Sequence, residues 1–399
     1  MEASGRSGET AEGGRGAPRA GAWIVGAAGN VAACLATGWA ALRRGLIEPI
    51  GLLTESAPLA RLPLAPLDGW VLGGHEVRAR TVRETADVLA SERVVRADLP
   101  ARVAEDLAAL QAEVRPGVAA VGSGDELARV RDDLASFRQR HGLARVVVLH
   151  LATTEPPWAP PAGEAPPDDP DALLGALRAG QLRLPPSALY AAAALDLGMG
   201  FVNFTPSVGS DLPALHALAQ ARGAVHAGAD GKTGETLVKT ALAPMFDVRR
   251  LRVRSWFGQN VLGNGDGEAL AQSDRRASKQ RTKGAALAEI LGYAPESHVG
   301  IDFLRSFGDW KVAWDHIAFE GFGGAQMSMQ FTWQGCDSAL AAPLCLDLLR
   351  LCELAARRGE KGALAWLALF FKAPLGTREQ RLGEQYRLLL EHFAPELPA

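Results

Sequence analysis

The chain has 399 residues with 42 Lys+Arg against 45 Asp+Glu, a formal net charge of -3, and 48% hydrophobic residues. That balance argues against a general nucleic-acid binder, which needs a strong basic excess, and the length predicts two domains or one large domain with an insertion. No apolar run reaches the roughly 20 residues of a membrane span. The four cysteines (Cys34, Cys336, Cys345, Cys352) form no C-x-x-C pair, so a reduced, cytoplasmic protein without disulfides or zinc is expected.

Residues 1–20 are small and polar, which reads as a disordered tail and not a signal peptide. Ala22-Trp23-Ile24-Val25 is then a short apolar run, stopped by Gly26-Ala27-Ala28-Gly29-Asn30 and followed by a helical pattern to Arg44. Strand, small-residue turn and helix form the first unit of a nucleotide-binding α/β fold. The small turn lets the backbone approach a pyrophosphate, and the helix N-terminus offers N–H groups. Ala28 stands where the second glycine of the usual fingerprint is expected. A second strand, Trp70-Val71-Leu72, stops at Gly73-Gly74-His75-Glu76, where Glu76 is a candidate for the ribose hydroxyls.

Helical segments fill roughly 80–141, and Ala144 to Leu149 reads as a buried strand ending in Ala152-Thr153-Thr154-Glu155. The Pro-rich piece 156–170 is a surface loop. Another strand spans Gly200 to Phe204, and Ala224-Val225-His226 leads into Asp230-Gly231-Lys232-Thr233-Gly234-Glu235-Thr236, which opens a helix to about Ala243. The spacing is not that of a Walker P-loop. It reads as an anion cradle of Lys232, hydroxyls and backbone N–H groups over 232–236, against the plainer alternative of a helix capped by Thr233.

After Met245 the pattern changes. Leu251, Val253, Ser255 and Phe257 alternate with Arg250, Arg252, Arg254 and Trp256 as in a half-buried antiparallel strand. Ala325 to Gln334 is the cleanest period-two run, and its apolar side needs a partner surface. Leu-rich helices follow at 338–357 and 362–371, then a polar helix at 378–393. The division expected is a nucleotide-binding domain over 21–245, an α+β domain over 246–357 and C-terminal helices over 358–399 that return to the first. Within 273–283, S-D-R-R-A-S-K-Q-R-T-K puts Lys279 and Lys283 one helical turn apart, so an anion should compensate them.

That segment, with G-D-W-K-V-A-W-D, G-C-D-S, F-F-K-A-P, L-G-N-G-D-G and A-D-G-K-T-G-E-T, resembles the motif set of the myo-inositol-1-phosphate synthases from Ala22 to about Gly376. The resemblance implies a Rossmann-type NAD-binding domain with an inserted α+β catalytic domain that also builds a homotetramer. It implies conversion of D-glucose 6-phosphate to 1L-myo-inositol 1-phosphate by C5 oxidation, enolisation, intramolecular aldol closure and re-reduction, with NAD held tightly. Each step builds negative charge on an oxygen, and fixed cations must meet it. By resemblance Lys279, Lys311 and Lys372 do so, and Lys283 helps with the phosphate or a sugar oxygen. Asp266, Asp309 and Asp337 are the matching carboxylates, and the 233–236 turn binds phosphate. Gly26, Ala27, Gly29, Asn30, Thr154, Asp230, Asn264 and Ser338 would contact the cofactor, with Glu76, Asp266 and Asp337.

Three positions depart from the family: Glu235 stands for glutamine, Asn264-Gly265 for two asparagines, and Glu76 for aspartate. A divalent or monovalent cation would have to be held by carboxylates, phosphate and water, because the sequence has no His/Cys cluster. The alternative is a related NAD-dependent cyclase or dehydrogenase acting on another phosphorylated sugar.

Overall fold

The computed structural model describes residues 19–121, 124–160, 165–263 and 287–396. The predicted tail lies outside them up to residue 18, and Ala20 already belongs to the first strand. Strands β1 (Ala20–Val25), β2 (Trp70–Glu76), β3 (Val114–Pro116), β4 (Arg145–His150), β5 (Gly200–Asn203), β6 (Val225–Ala227) and β11 (Gly362–Ala363) form one parallel sheet. Its order is β11-β6-β5-β4-β1-β2-β3. Strands β1 and β4 lie side by side while the chain winds outward from them in opposite directions. A crevice therefore opens at their carboxyl ends, where such sheets bind ligands.

Sequence explains the layering. β1, β4 and β5 are buried almost throughout, as strands covered on both faces must be. One face packs helix α1 (Asn30–Arg43); the other packs α3 (Glu126–Arg140) and the alanine-rich α4 (Pro186–Asp196). Helix α2 (Val82–Ser91) is started by a capping box in which Thr81 and Glu84 satisfy each other's backbone N–H groups. The short strand β3 was not anticipated within the helical reading of 80–141. Its three residues are too few to show a period of two.

After α6 (Glu235–Val248) the chain builds a second sheet from β7 (Arg252–Leu262), β8 (Glu296–Phe303), β9 (Trp310–Glu320) and β10 (Gln326–Cys336), in the order β10-β9-β7-β8. β7 is antiparallel to β9, as its alternation suggests, but parallel to β8. Phe246, Trp256 and Ile317 centre its core. On β10, Met329, Phe331 and Trp333 are half-buried while Gln330, Thr332 and Gln334 are exposed, and Met327 is 41% exposed.

The chain re-enters the first domain earlier than expected. Helix α7 (Asp337–Arg357) packs against α1 and β4, and its Ala341, Leu348, Leu351 and Ala355 belong to the same core as β1. The boundary therefore falls at Asp337 and not at 358. The helix expected over 362–371 is also replaced. Gly362, at φ +79, places β11 beside β6, and a 3-10 segment covers Ala365–Phe370. Helix α8 (Leu382–His392) closes the chain.

Asp347 on α7 pins the 46–66 connection to this core. Its buried carboxylate accepts from Leu53 N (2.8 Å), Thr54 N (3.1 Å) and Thr54 Oγ1 (2.6 Å). Asp347→Ala leaves three donors unpaired, and unsatisfied buried groups cost about 1–3 kcal/mol each. A loss of about 3 kcal/mol is expected because the loop can relax toward water, read as a lower urea midpoint with an unchanged slope.

Candidate active site

The turn after β1 is shaped to receive an anion. Gly26 sits at φ +86, and a Cβ there would lie 3.0 Å from Ala152 Cα, so only glycine fits. The N–H groups of Gly26 and Ala27 donate to His75 O (2.9 and 3.1 Å), which locks the turn to β2. Gly29 caps α1 without a side chain. The orphan N–H groups of the first helical turn are thus left for a ligand.

From this turn a cavity of about 360 Å³ runs between the two sheets, the size of a small-molecule site. Gly29 and Asn30 line its cofactor end. Thr233, Gly234, Glu235 and Thr236 line it where α6 begins. Helix α6 likewise has a glycine N-cap with no capping side chain, and among the described residues the buried hydroxyl of Thr236 has no hydrogen-bond partner. A buried hydroxyl beside an uncapped helix start has the donors and the partial positive charge that suit an anion.

Among the described residues, two ammonium groups reach the cavity. Lys311, on β9, lies 3.6 Å from the Asp337 carboxylate, which also accepts from Thr233 Oγ1 at 3.2 Å. A Cβ on Gly234 would fall 3.5 Å from Lys311 Nζ, so that ammonium stands over the start of α6. Lys372 Nζ donates to Asp230 at 2.7 Å. Burial works against the charge of Lys372, but Asp230, with Asp337 and Glu235 beyond it, reverses this and holds the pKa above the ordinary lysine value. Asp230 itself occupies the left-handed region at φ +61, fixed because Asp230 N and O bond Thr205 O and Lys372 N.

Asp309 joins the two domains. Its buried carboxylate accepts from Asn30 Nδ2 (2.9 Å), Ser338 Oγ (3.0 Å) and the Cys336 thiol (2.7 Å), while Glu92 takes its backbone N–H. Asp309, Asp337 and Ser338 all line the cavity.

Several expected residues stand elsewhere. Gly26 and Ala27 are buried and shape the turn without lining the cavity. Thr153 lines it in place of Thr154. Lys232 is corrected: its backbone N–H bonds Phe370 O, and its buried ammonium turns away to donate to Gln385 on α8. Burial, with the neighbouring charge of Lys372, pushes its pKa down to about 7. Glu76 is corrected too. Its carboxylate accepts from Ala28 N, Val77 N, Arg78 N and the Arg78 guanidinium, which leaves no free acceptor for a ribose. Lys279, Lys283, Asn264 and Asp266 lie outside the described residues.

The structure adds residues that the sequence reading missed. Asn260 on β7 and Arg78 and Arg80 after β2 line the cavity. Behind Glu235, fully buried Lys239 donates to its carboxylate at 2.5 Å, and Asn260 Nδ2 donates at 2.6 Å. The i,i+4 spacing of Glu235 and Lys239 was the available signal for that pair. Among the described residues, no group of three or more His, Cys, Asp or Glu side chains could hold a metal ion, and no helix is long and apolar enough to cross a membrane.

A glycine-turn crevice in a doubly wound sheet, opening onto paired lysines and an uncapped helix start, defines a dinucleotide-dependent enzyme acting on an anionic substrate. The chain belongs to the myo-inositol-1-phosphate synthase family, whose model matches residues 20–393. It is 31% identical to inositol-3-phosphate synthase 1 of Bacteroides thetaiotaomicron, over 93% of this chain and 94% of that protein. It is 28% identical to the inositol-3-phosphate synthase of Spirodela polyrhiza, over 85% of this chain and 75% of that one. The structure of a myo-inositol-1-phosphate synthase-related protein from Thermotoga maritima superposes with a TM-score of 0.76 at 25% identity, covering 94% of this chain and 98% of that one. The inositol-3-phosphate synthase of Caenorhabditis elegans shares the fold, with a TM-score of 0.83 at 22% identity over 96% of this chain and 87% of that one.

Two consequences can be measured. Lys239→Met strands a buried carboxylate, and breaking such a pair costs about 3–5 kcal/mol. Adding Glu235→Gln should recover most of that loss in urea denaturation. For Lys232 the folded pKa of about 7 lies below the ordinary 10.5. The unfolded chain therefore binds more protons between those values, and this residue's contribution to stability rises with pH across that interval. The difference in unfolding free energy between wild type and Lys232→Met should grow by the same sign from pH 7 to 10.

Proposed function

We propose that the chain is an isomerase that converts D-glucose 6-phosphate to 1L-myo-inositol 1-phosphate in the cytoplasm. The observation that carries this reading is the Thr236 hydroxyl, buried without a partner among the described residues at the uncapped start of α6, in the same cavity as Lys311 and Lys372. A sugar phosphate satisfies both needs at once. Its phosphate takes the N–H groups and hydroxyls of 233–236, and its sugar oxygens fall within reach of the ammonium groups.

The Gly26 to Asn30 turn and the first turn of α1 suit the pyrophosphate of NAD, with Asp337 and Ser338 on the nicotinamide side. When bound, NAD supplies reversible hydride exchange at C5 of the open-chain sugar, so the overall reaction is redox-neutral. Lys311 and Lys372 stabilise the oxyanions that form as the C5 hydroxyl, the enolised carbon skeleton and the C1 carbonyl react in turn. Their carboxylate partners Asp337 and Asp230 orient them, and Asp230 holds the pKa of Lys372 above the ordinary lysine value. Lys279, Lys283 and Asp266 are assigned to the same work by their place in the family's motifs. A divalent or monovalent cation, where one is used, would be ligated by the substrate phosphate and single carboxylates. The half-buried apolar face of β10 suits assembly of a homotetramer.

Purified protein incubated with glucose 6-phosphate and no added NAD should form inositol phosphate without accumulating NADH. Steady NADH production would instead favour a dehydrogenase. Lys311→Ala should retain the dinucleotide and lose about 10²–10³-fold in kcat, the scale of removing one fixed stabiliser of a developing oxyanion.

A further inference from the structure

Resting on the phosphate-binding reading of the 233–236 turn above, we infer that Gln385 on α8 is a positioning residue for the substrate, which acts through the Lys232 side chain to fix where that turn stands relative to Lys372. Helix α8 buries one face, where Leu389, with Phe393 just beyond the helix end, joins the main core. Gln385 lies one turn before Leu389 on that face and is 0% exposed, at a position where an amphipathic helix ordinarily carries an apolar side chain. A buried amide is costly unless both of its ends are bonded, and here both are. Nε2 donates to Glu379 O at 2.6 Å, and Oε1 accepts from the buried Lys232 ammonium. Among the described residues that oxygen is the one acceptor the ammonium has. The contact ties the C-terminal helix to the residue just before Thr233.

The backbone determines what this contact holds. Residues 229–232 pair with 370–373: Ala229 N donates to Ala373 O (2.7 Å), Lys372 N to Asp230 O (2.7 Å) and Lys232 N to Phe370 O (2.9 Å). This short ladder sets the Asp230–Lys372 ion pair, and Gln380 Nε2, just ahead of α8, steadies it at Lys372 O (3.2 Å). The ladder ends at Lys232. Thr233 then reaches Asp337 through its hydroxyl (3.2 Å), and the turn runs on into α6. An anion must meet the N–H groups and hydroxyls of that turn within hydrogen-bond range. The Lys232 side chain is the tether at the near end of the turn, spanning from the last paired residue to a helix anchored in the core. Loss of the tether loosens the turn and leaves the ladder, and with it Lys372, in place. Lys232 does not line the cavity, so its effect on the substrate runs through the turn.

The test is steady-state kinetics of the full-length protein with glucose 6-phosphate, alongside calorimetric titration with inorganic phosphate and with NAD⁺. Gln385→Met should raise both KM and the Kd for inorganic phosphate by about 10-fold, the scale of one lost buried hydrogen bond, while kcat and the Kd for NAD⁺ change less than about 3-fold. Lys232→Met should do the same. The double variant Lys232→Met/Gln385→Met should add less than about 2-fold to either single one, because the two side chains form one contact. A purely structural role would lower the melting temperature and the active fraction, hence kcat, with KM and phosphate affinity as in the wild type. That result, or a double variant whose KM effect is the product of the single ones, overturns the inference. Should Gln385→Met fail to fold, Lys232→Met read in the same assays decides. A wild type that binds inorganic phosphate without turning over glucose 6-phosphate removes the proposed reaction and leaves the titration to judge Gln385; a wild type that binds no phosphate sinks both.

Discussion

The carboxylate of Asp309 is the contact on which the architecture of the site depends. It sits at the start of β9 and receives a side-chain amide from the first turn of α1, a hydroxyl from α7 and a thiol from the end of β10. Those donors come from the last residue of β10, from the first turn of α7 and from the first turn of α1. An ionised carboxylate without water must find such donors or lose its charge. The requirement therefore fixes the second sheet against the first. The Cys336 thiol, already disfavoured as a thiolate by burial, is pushed further from ionisation by this carboxylate, so it remains the donor that Asp309 needs.

Given that register, the charges around the cavity come in pairs. Lys311 faces Asp337, Lys372 faces Asp230, and Lys239 faces Glu235. Pairing each ammonium with a carboxylate offsets part of the cost of placing charge in a partly buried pocket. Lys232 shows the opposite case. With a neutral amide for a partner and Lys372 nearby, its ammonium is disfavoured. A lysine that sits beside the site but holds its charge weakly joins the 230–236 loop to α8.

The sheet strands and the cavity side of the site were legible because each rests on a short-range pattern. Buried apolar runs gave β1, β4 and β5, and alternation gave β7 and β10. The motifs placed Lys311, Lys372, Asp309 and Asp337 in one pocket although 142 residues separate the bonded partners Asp230 and Lys372. What failed depends on tertiary direction. Lys232 has the right neighbours in sequence, yet backbone pairing with Phe370 points it away from the cradle. Helix α7 reads as part of the second domain because it follows β10 directly, and only its packing on α1 assigns it to the first. Arg78 and Arg80 carry no local signal, since an exposed arginine after a strand is ordinary until the cavity wall is known.

Glu235 illustrates how a departure from a family pattern can be absorbed. An acid beside a phosphate site would repel its ligand at close range if its charge were open to the cavity. Here the carboxylate is 1% exposed, bonded to Lys239 one helical turn on and to the Asn260 amide from β7. The lysine ammonium lies 2.5 Å from that carboxylate and offsets its charge, while the Thr236 hydroxyl at the helix start has no partner among the described residues. Replacement of an amide by an acid at this position is therefore tolerable only while Lys239 remains its buried partner. The two residues form one electrostatic unit, and the anion-binding character of the α6 N-terminus rests on their remaining together.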